Sequence, residues 1–517
     1  MSSSLINIDN TRDCEVWQYL RRIREHIGKD VEVVFDRSRL SDLCLCKLLT
    51  ALRCHHVNEL VTMKFIEQRL TRKALLLLFD FHVLRTLVIH SKLSGDLLIL
   101  LVSFLSNNRL RGFGIHDDFS ECVSSQLIST FLQTLGIASN IKVLSLHNIY
   151  IRSECQHAMG FLLQHSRATS ITLVDVSVNF ADELVSYIRS SEQPKINDLT
   201  LSISPKHRQT SIFPFYMILF ENLIMMDRLQ SVKFVGLDFQ DIDERFKSLI
   251  EDMRSCLECV EFVHCRFSLS SYNTMMSALC DGYRCKILRL IDNVIDISVL
   301  NTQKKTKKKI HYYSFAHSAS PERFALSLSG VHAYSKLYLK SLSSDLYTNE
   351  SITDLELTLR DFPRGCPRAL PFFSMNQHIQ KLALYGQWPA NIQIFGDDEM
   401  NTTIESIHCA TLPRCAFSLE RFPALQQLSL DRSDVRDLSG CPQLKRLSLQ
   451  LSILLDRHLS TIFETLHSLE KFSLSIRNAP TTVLIKKLQD ILERNPLLDE
   501  IVCQEAFIKI DHVIKRQ

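Results

Sequence analysis

The residues of this chain that could do chemistry are its grouped cysteines, histidines and lysines. Two groups bring thiols and imidazoles close together in sequence: Cys256, Cys259, His264 and Cys265, and Cys44, Cys46, Cys54, His55 and His56. Structural zinc takes four such ligands converging tetrahedrally, usually as two close pairs on turns. The first group straddles "CLECVEFVHCRF", whose alternation predicts a strand with Cys259 on its exposed face and Cys265 filling an inward turn slot beyond its end. The second group falls in "SDLCLCKLLTALRCHH", a helical pattern in which neighbours two apart diverge. Thiol packing without metal is therefore the expectation for both, and no cofactor is expected. A third group is "NTQKKTKKKIHYY", in which Lys304, Lys305, Lys307, Lys308 and Lys309 place five cations within six residues. That density suits a nuclear-import signal or a phosphate-contacting patch. Against nucleic acid stands the lack of aromatics among the lysines, although Tyr312, Tyr313 and Phe315 follow them. No GxSxG, HExxH, GxxxxGK[ST] or GxGxxG occurs. With 13 glycines in 517 residues there is little material for a backbone phosphate cradle, so an enzyme is not expected.

Composition narrows the class further. The hydrophobic and charged fractions, 45% and 23%, are those of a folded chain. Sixty Lys plus Arg against 57 Asp plus Glu leave +3, which gives no whole-chain attraction for nucleic acid. The 16 cysteines are scattered without a disulfide framework, the pattern of reduced thiols. The start, "MSSSLINIDNTRDCEVW", lacks the basic and apolar regions of a secretory signal. "ALLLLFDFHVL" from Ala74 and "DLLILLVSFL" from Asp96 stop well short of the roughly 20 residues of a membrane span. The expectation is an intracellular protein, cytoplasmic or nuclear, with no membrane association.

The elements that must position these residues come from a repeat. "RLQSVKFVGLDF" (Arg228 to Phe239) and "CLECVEFVHCRF" (Cys256 to Phe267) share a template of apolar, two variable, apolar, one variable, apolar, and start 28 residues apart. The template recurs sixteen times between Leu84 and Leu498, and nine of the fifteen steps measure 25 to 29 residues. Chance matches would not keep that period. Each match reads as a short alternating strand, such as "VLSL" at Val143 or "KLAL" at Lys381. Between matches lie runs of helical period, such as "SSQLISTFLQTLG" from Ser124, "ADELVSYIRSS" from Ala181 and "TVLIKKLQDILERN" from Thr482. A strand–helix unit of about 28 residues cannot bury its own apolar face, and stacking the units does so. The fold class expected is thus an α/β solenoid.

This pattern resembles the leucine-rich repeat family in its intracellular, ribonuclease-inhibitor-like branch, over roughly Leu84 to Phe507. The resemblance implies a curved array with a parallel concave sheet. It also implies an Asn or Cys in the turn after each strand, where only Asn293 and Cys265 comply while Ile149, Val176, Leu237, Leu342 and Leu412 stand elsewhere. Four regions follow: 1–70, a helical cap or adaptor with degenerate first repeats at Val31–Phe35 and Val57–Phe65; 71–297, repeats of about 28 residues; 298–322, an exposed basic insertion; and 323–517, shorter and more irregular repeats with a C-terminal cap. A strand is expected from Tyr334, and "ERFALSLSG" near Phe324 offers a further, shorter one.

Alternation puts Val235, Val263, Ile287 and Ile291 on the concave face as one apolar strip, beside Arg289, Lys336, Tyr338 and Lys340, with Tyr385 further on. An apolar centre rimmed by Arg, Tyr and Lys has the composition of a protein-binding hot spot. The function expected is a non-catalytic scaffold or adaptor that recognises a protein partner. Two alternatives stand beside it: a substrate-recognition subunit of a ubiquitin-ligase complex, which only the resemblance implies and for which no F-box is found, and a nuclear RNA-associated factor using Lys304 to Lys309.

Overall fold

The computed structural model describes residues 4–515 apart from 10–11, 27–29, 56–60, 108, 117–122, 179–195, 208–211, 225–228, 241–256, 283–284, 297–311, 317, 319, 329–337, 339–340, 343, 347, 360–375, 387–399, 410–420, 432–440, 442, 452–461, 464–465, 477–481 and 506–510. The chain divides into two compact units, Met1–Asp238 with Asp252–Leu257 and Phe239–Glu251 with Glu258–Gln517.

In the first unit, strands β1 (Ser4–Asp9), β2 (Val31–Asp36), β3 (Val61–Ile66), β4 (Leu84–His90), β5 (Gly112–His116) and β6 (Val143–His147) alternate with helices α1 (Val16–Glu25), α2 (Asp42–His55), α3 (Arg72–Phe79), α4 (Gly95–Asn107) and α5 (Ser125–Ile137). Next come the short β7 (Tyr150–Ile151), α6 (Gln156–His165), β8 (Ser170–Val174), the short β9 (Ser177–Val178), β10 (Asp198–Ser202), a helix at Ile212–Ile224 and β11 (Ser231–Val235). Every long strand pairs in parallel with the next: β1 to β6 in order, then β8, β10 and β11. The alternation causes this directly, because Val31, Val33 and Phe35 of β2 and Val61, Met63 and Phe65 of β3 are buried while the residues between them are half-exposed. Phe35 and Phe65 stack with ring centroids 4.9 Å apart. Helix starts are capped by side chains, with Ser124 Oγ accepting from the Leu127 amide at 3.3 Å and Thr71 Oγ1 from the Ala74 amide at 3.2 Å. Each such cap stabilises by about 1 kcal/mol.

In the first 70 residues β2 and β3 fall at the degenerate repeats expected at Val31–Phe35 and Val57–Phe65; with β1 they belong to the sheet, and α1 and α2 connect them as part of the array and not as a helical cap beside it. The template overlooks β1 and β2 because Ser3 and Asp30 stand where it requires an apolar residue. One irregularity interrupts the register. Val61 pairs with Leu84 but Thr62 with Thr86, so Arg85 is an extra residue, a bulge at the start of β4.

The second unit holds β12 (Cys259–Val263), β13 (Arg266–Ser268), β14 (Ile287–Ile291), β15 (Val294–Asp296), β16 (Arg323–Leu328), β17 (Asp354–Leu359), β18 (Lys381–Gly386), β19 (Ser406–Cys409), β20 (Gln427–Asp431), β21 (Arg446–Leu451), β22 (Lys471–Ile476), β23 (Glu500–Glu505) and β24 (Asp511–Lys515), with helices at Leu269–Ser277 and Thr482–Arg494. From β12 through β14 and then β16 to β23 the pairing is parallel, and β24 closes on β23 antiparallel. Both units thus share one arrangement, parallel strands alternating with helices in a solenoid-like repeat.

Turns after the strands share a left-handed residue. Arg37, Glu67, Asn148, Asp175, His264 and Asp292 have φ between 46° and 54°, and the amide of each donates at 2.7–2.9 Å to the last carbonyl of the neighbouring strand or, for Asp292, to the last but one, that of Ser327. Asn293, in the slot the family resemblance singles out, accepts from the Cys265 amide at 2.9 Å and donates to the Phe262 carbonyl at 3.0 Å. A second asparagine series was not anticipated. Asn349, Asn376 and Asn401 are buried, each three residues before a strand template at Ile352, Ile379 or Ile404. Asn376 accepts from the His378 and Ile379 amides at 2.7 and 3.1 Å and donates to the carbonyls of Leu346 and, at 2.8 Å, Asn349. Asn401 in turn donates to the Asn376 carbonyl at 2.8 Å.

Two expectations change here. The strand in the long gap is β16, the shorter one offered near Phe324, while the segment expected from Tyr334 lies outside the described residues except for Tyr338, which is helical. The end of the insertion is not an exposed loop, because Tyr312 and Phe315 are buried, Phe315 against Phe324 at 5.0 Å and its amide on Asp345 at 3.1 Å. The helical run from Ala181 and Lys304 to Lys309 lie outside the described residues. No helix among the described residues is long and apolar enough to cross a membrane.

Candidate functional site

Parallel pairing without slippage turns the outward positions of each strand into rungs. At the C-terminal end of β4–β6 one such rung consists of histidines. Ile89 is paired with Ile115, which places His90 level with His116, and His116 is paired with His147. Strands two apart lie about 9.6 Å from each other, twice the inter-strand spacing. Yet the ring centroids of His90 and His147 are 5.1 Å apart, with His116 at 5.1 and 5.7 Å from them. One imidazole nitrogen from each ring lies within 4.8 Å of the others.

The middle strand makes this convergence possible. On β5 the outward residues below His116 are Gly112 and Gly114, so nothing stands between Thr86 and Val88 on one side and Val143 and Ser145 on the other. A Cβ at Gly114 would come within 3.1 and 3.3 Å of the two Val88 methyls, and one at Gly112 within 2.8 Å of Thr86. The flanking side chains lean into that gap, and the outer two histidines meet over it. Ser145 Oγ lies 2.5 Å from His147 Nε2 and holds that ring by one nitrogen, leaving the other for a ligand.

Burial, then the His116 ring and Lys64, push His90 down to about 4. Burial, then His90 and His116, do the same to His147. Both rings are consequently uncharged at neutral pH, with a lone pair available. Lys64 itself is held by Glu32 at 2.7 Å. Beside the rung opens a pocket of about 680 Å³, bordered by Glu67, Arg69, Ser91, Lys92 and Asn148 as well as His90 and His116. Ser91 Oγ is buried and makes no hydrogen bond. A smaller pocket, about 360 Å³, lies over the serine rung Ser429, Ser448 and Ser473 on β20–β22.

Proximity in sequence does not reveal these histidines, which are 26 and 31 residues apart. The signal was present in the template: "VIH", "GIH" and "SLH" put His at the same slot of three successive repeats. Of the groups weighed from sequence, Cys259 is half-buried on a strand while Cys265 is buried in the turn with its Sγ 3.5 Å from the Val263 carbonyl. Cys44, Cys46 and Cys54 lie on α2, and Cys256 and His56 are outside the described residues.

The expected partner-binding residues divide. Val235 belongs to the first unit, and Val263, Ile287, Arg289 and Ile291 to the second. All five sit at outward strand positions, half-buried except for the exposed Arg289. In the second unit Val263 and Ile291 share a rung, but Ile287 is level with Cys259, and Arg289 reaches Glu261 at 3.8 Å between them. The strip within that unit is therefore not continuous: an ion pair separates the two isoleucines. Tyr385 is half-buried on β18 against His408. Tyr338 must be corrected. It is helical and buried, its hydroxyl 2.6 Å from that of Tyr272 and its ring edge-on to Tyr312, so it presents nothing to a partner. Lys336 and Lys340 lie outside the described residues. No protein-family model matches the chain, and no curated protein matches it.

Proposed function

We propose that the chain is a leucine-rich-repeat scaffold, non-catalytic, that binds a protein partner on the outward face of strands β12–β18. The observation that supports this most is the unbroken register of β12, β14 and β16, which fixes Val263 beside Ile291 and leaves Arg289 exposed next to them. Side chains held on such a ladder lose little freedom when a partner docks. Arg is among the residue types that most often concentrate binding energy.

The test is a photo-cross-linking amino acid at Arg289 in cells. A defined protein adduct should form, and it should disappear when Ile291→Asp is added without a change in the melting curve. Adducts that form instead from Trp17 or Leu43, exposed apolar residues on α1 and α2, would move the interface to the helices and end this reading.

A further inference from the structure

A rung of three imidazoles is a costly way to cover a sheet face, and the packing around it is arranged to bring the rings together. Two glycines clear the middle strand, Ser145 orients one ring, and the register fixes all three backbones level. We propose that His90, His116 and His147 bind one divalent transition-metal ion, zinc in the first place, with the remaining coordination position open to the pocket bordered by Glu67, Arg69, Ser91 and Lys92.

Three protein ligands and one open position is the composition of a reactive rather than a purely structural zinc site. Zinc–nitrogen bonds of about 2.05 Å in a tetrahedron set the nitrogens roughly 3.3 Å apart. The present limit of 4.8 Å closes to that by turning side chains, and His116, the exposed member, is free of the packing that would resist it. The donor type selects the metal: imidazoles suit zinc, copper, nickel and iron, whereas calcium and magnesium want oxygen. Ser145 acts on His147 as outer partners commonly act on ligating histidines, fixing the ring by its second nitrogen. Lys64, whose charge acts on His90, is paired with Glu32.

The experiment uses the full chain, stripped with chelator and dialysed against Zn²⁺ at neutral pH. One zinc per chain should be retained. His116→Ala, which removes an exposed ring and leaves the core untouched, should weaken binding by more than about 100-fold, beyond what loss of a merely orienting partner costs. His147→Gln, read alongside, should do the same. Loading with Co²⁺ should give the visible d–d absorption of an imidazole site without the intense near-ultraviolet band of a thiolate, and His116→Ala should abolish it. Absence of stoichiometric metal overturns the proposal. So does zinc that survives both substitutions, or a thiolate band, either of which would assign the metal to the cysteines.

Discussion

Strands β4–β6 and strands β17–β19 are built from the same unit, yet they handle polar side chains in opposite ways. Before β17–β19 the polar residues go inward: Asn349, Asn376 and Asn401 are buried, and the backbone groups around them take up their donors and acceptors. Along β4–β6 they go outward. His90, His116 and His147 gather over a pair of glycines. A buried polar ladder with every group satisfied is what stability requires, since each unmade bond inside costs about 1–3 kcal/mol. A cluster on the outer face with unused capacity contributes little to stability and is open to a ligand.

This contrast can be broken at four points. Asn376→Ala should cost about 3 kcal/mol or more, because it strips several buried backbone groups of partners at once. Urea denaturation measures this, and a loss under about 1 kcal/mol would mean that the inner ladder is dispensable. The folded fraction of that variant should bind zinc as before. Next in size, zinc at a hundred times its dissociation constant should stabilise the wild-type chain by about 2.7 kcal/mol. In His116→Ala that gain should vanish, as a thermal melt with and without metal would reveal. Gly114→Val should cost about 2 kcal/mol by overpacking against Val88 and Ser145, and should lower zinc affinity by propping the outer histidines apart. Metal affinity unchanged in Gly114→Val would show that the glycines do not create the site. Smallest of all, His116→Ala without metal should stay within about 0.5 kcal/mol of the wild type; a larger loss would make the histidine rung part of the structure after all.

The fold was readable because a repeat states its pattern many times, so β3 to β6 and β17 to β23 could be found even with some slots filled irregularly. The strict template stops where the first slot is polar or Pro: Ser3 hides β1, while β2 and β16, behind Asp30 and Pro321, stand out only as the weaker segments at Val31–Phe35 and near Phe324. Which face each outward residue takes was also readable, since alternation alone decides it for Val263, Ile287 and Ile291. Contact across strands was not. The Glu261–Arg289 pair that divides the isoleucines and the Tyr272 hydroxyl that claims Tyr338 depend on side-chain reach between repeats. The histidine rung and the asparagine series lie between these cases. Both repeat at fixed template slots, His at the strand end and Asn three residues before its start, and comparing slots rather than neighbours along the chain would have exposed them.

The bulge at Arg85 also has a bearing on where the histidines point. A strand allots its residues to two faces by odd and even number, and β4 has core residues of both parities: Leu84 on one count, Leu87 and Ile89 on the other. Arg85 is the single residue that switches the count between them. Without it Leu84, Leu87 and Ile89 would fall on one parity and Thr86, Val88 and His90 on the other, the plain alternation of β2 and β3. The bulge thus absorbs one surplus residue, so that His90 keeps the outward phase it would have in an unbulged strand.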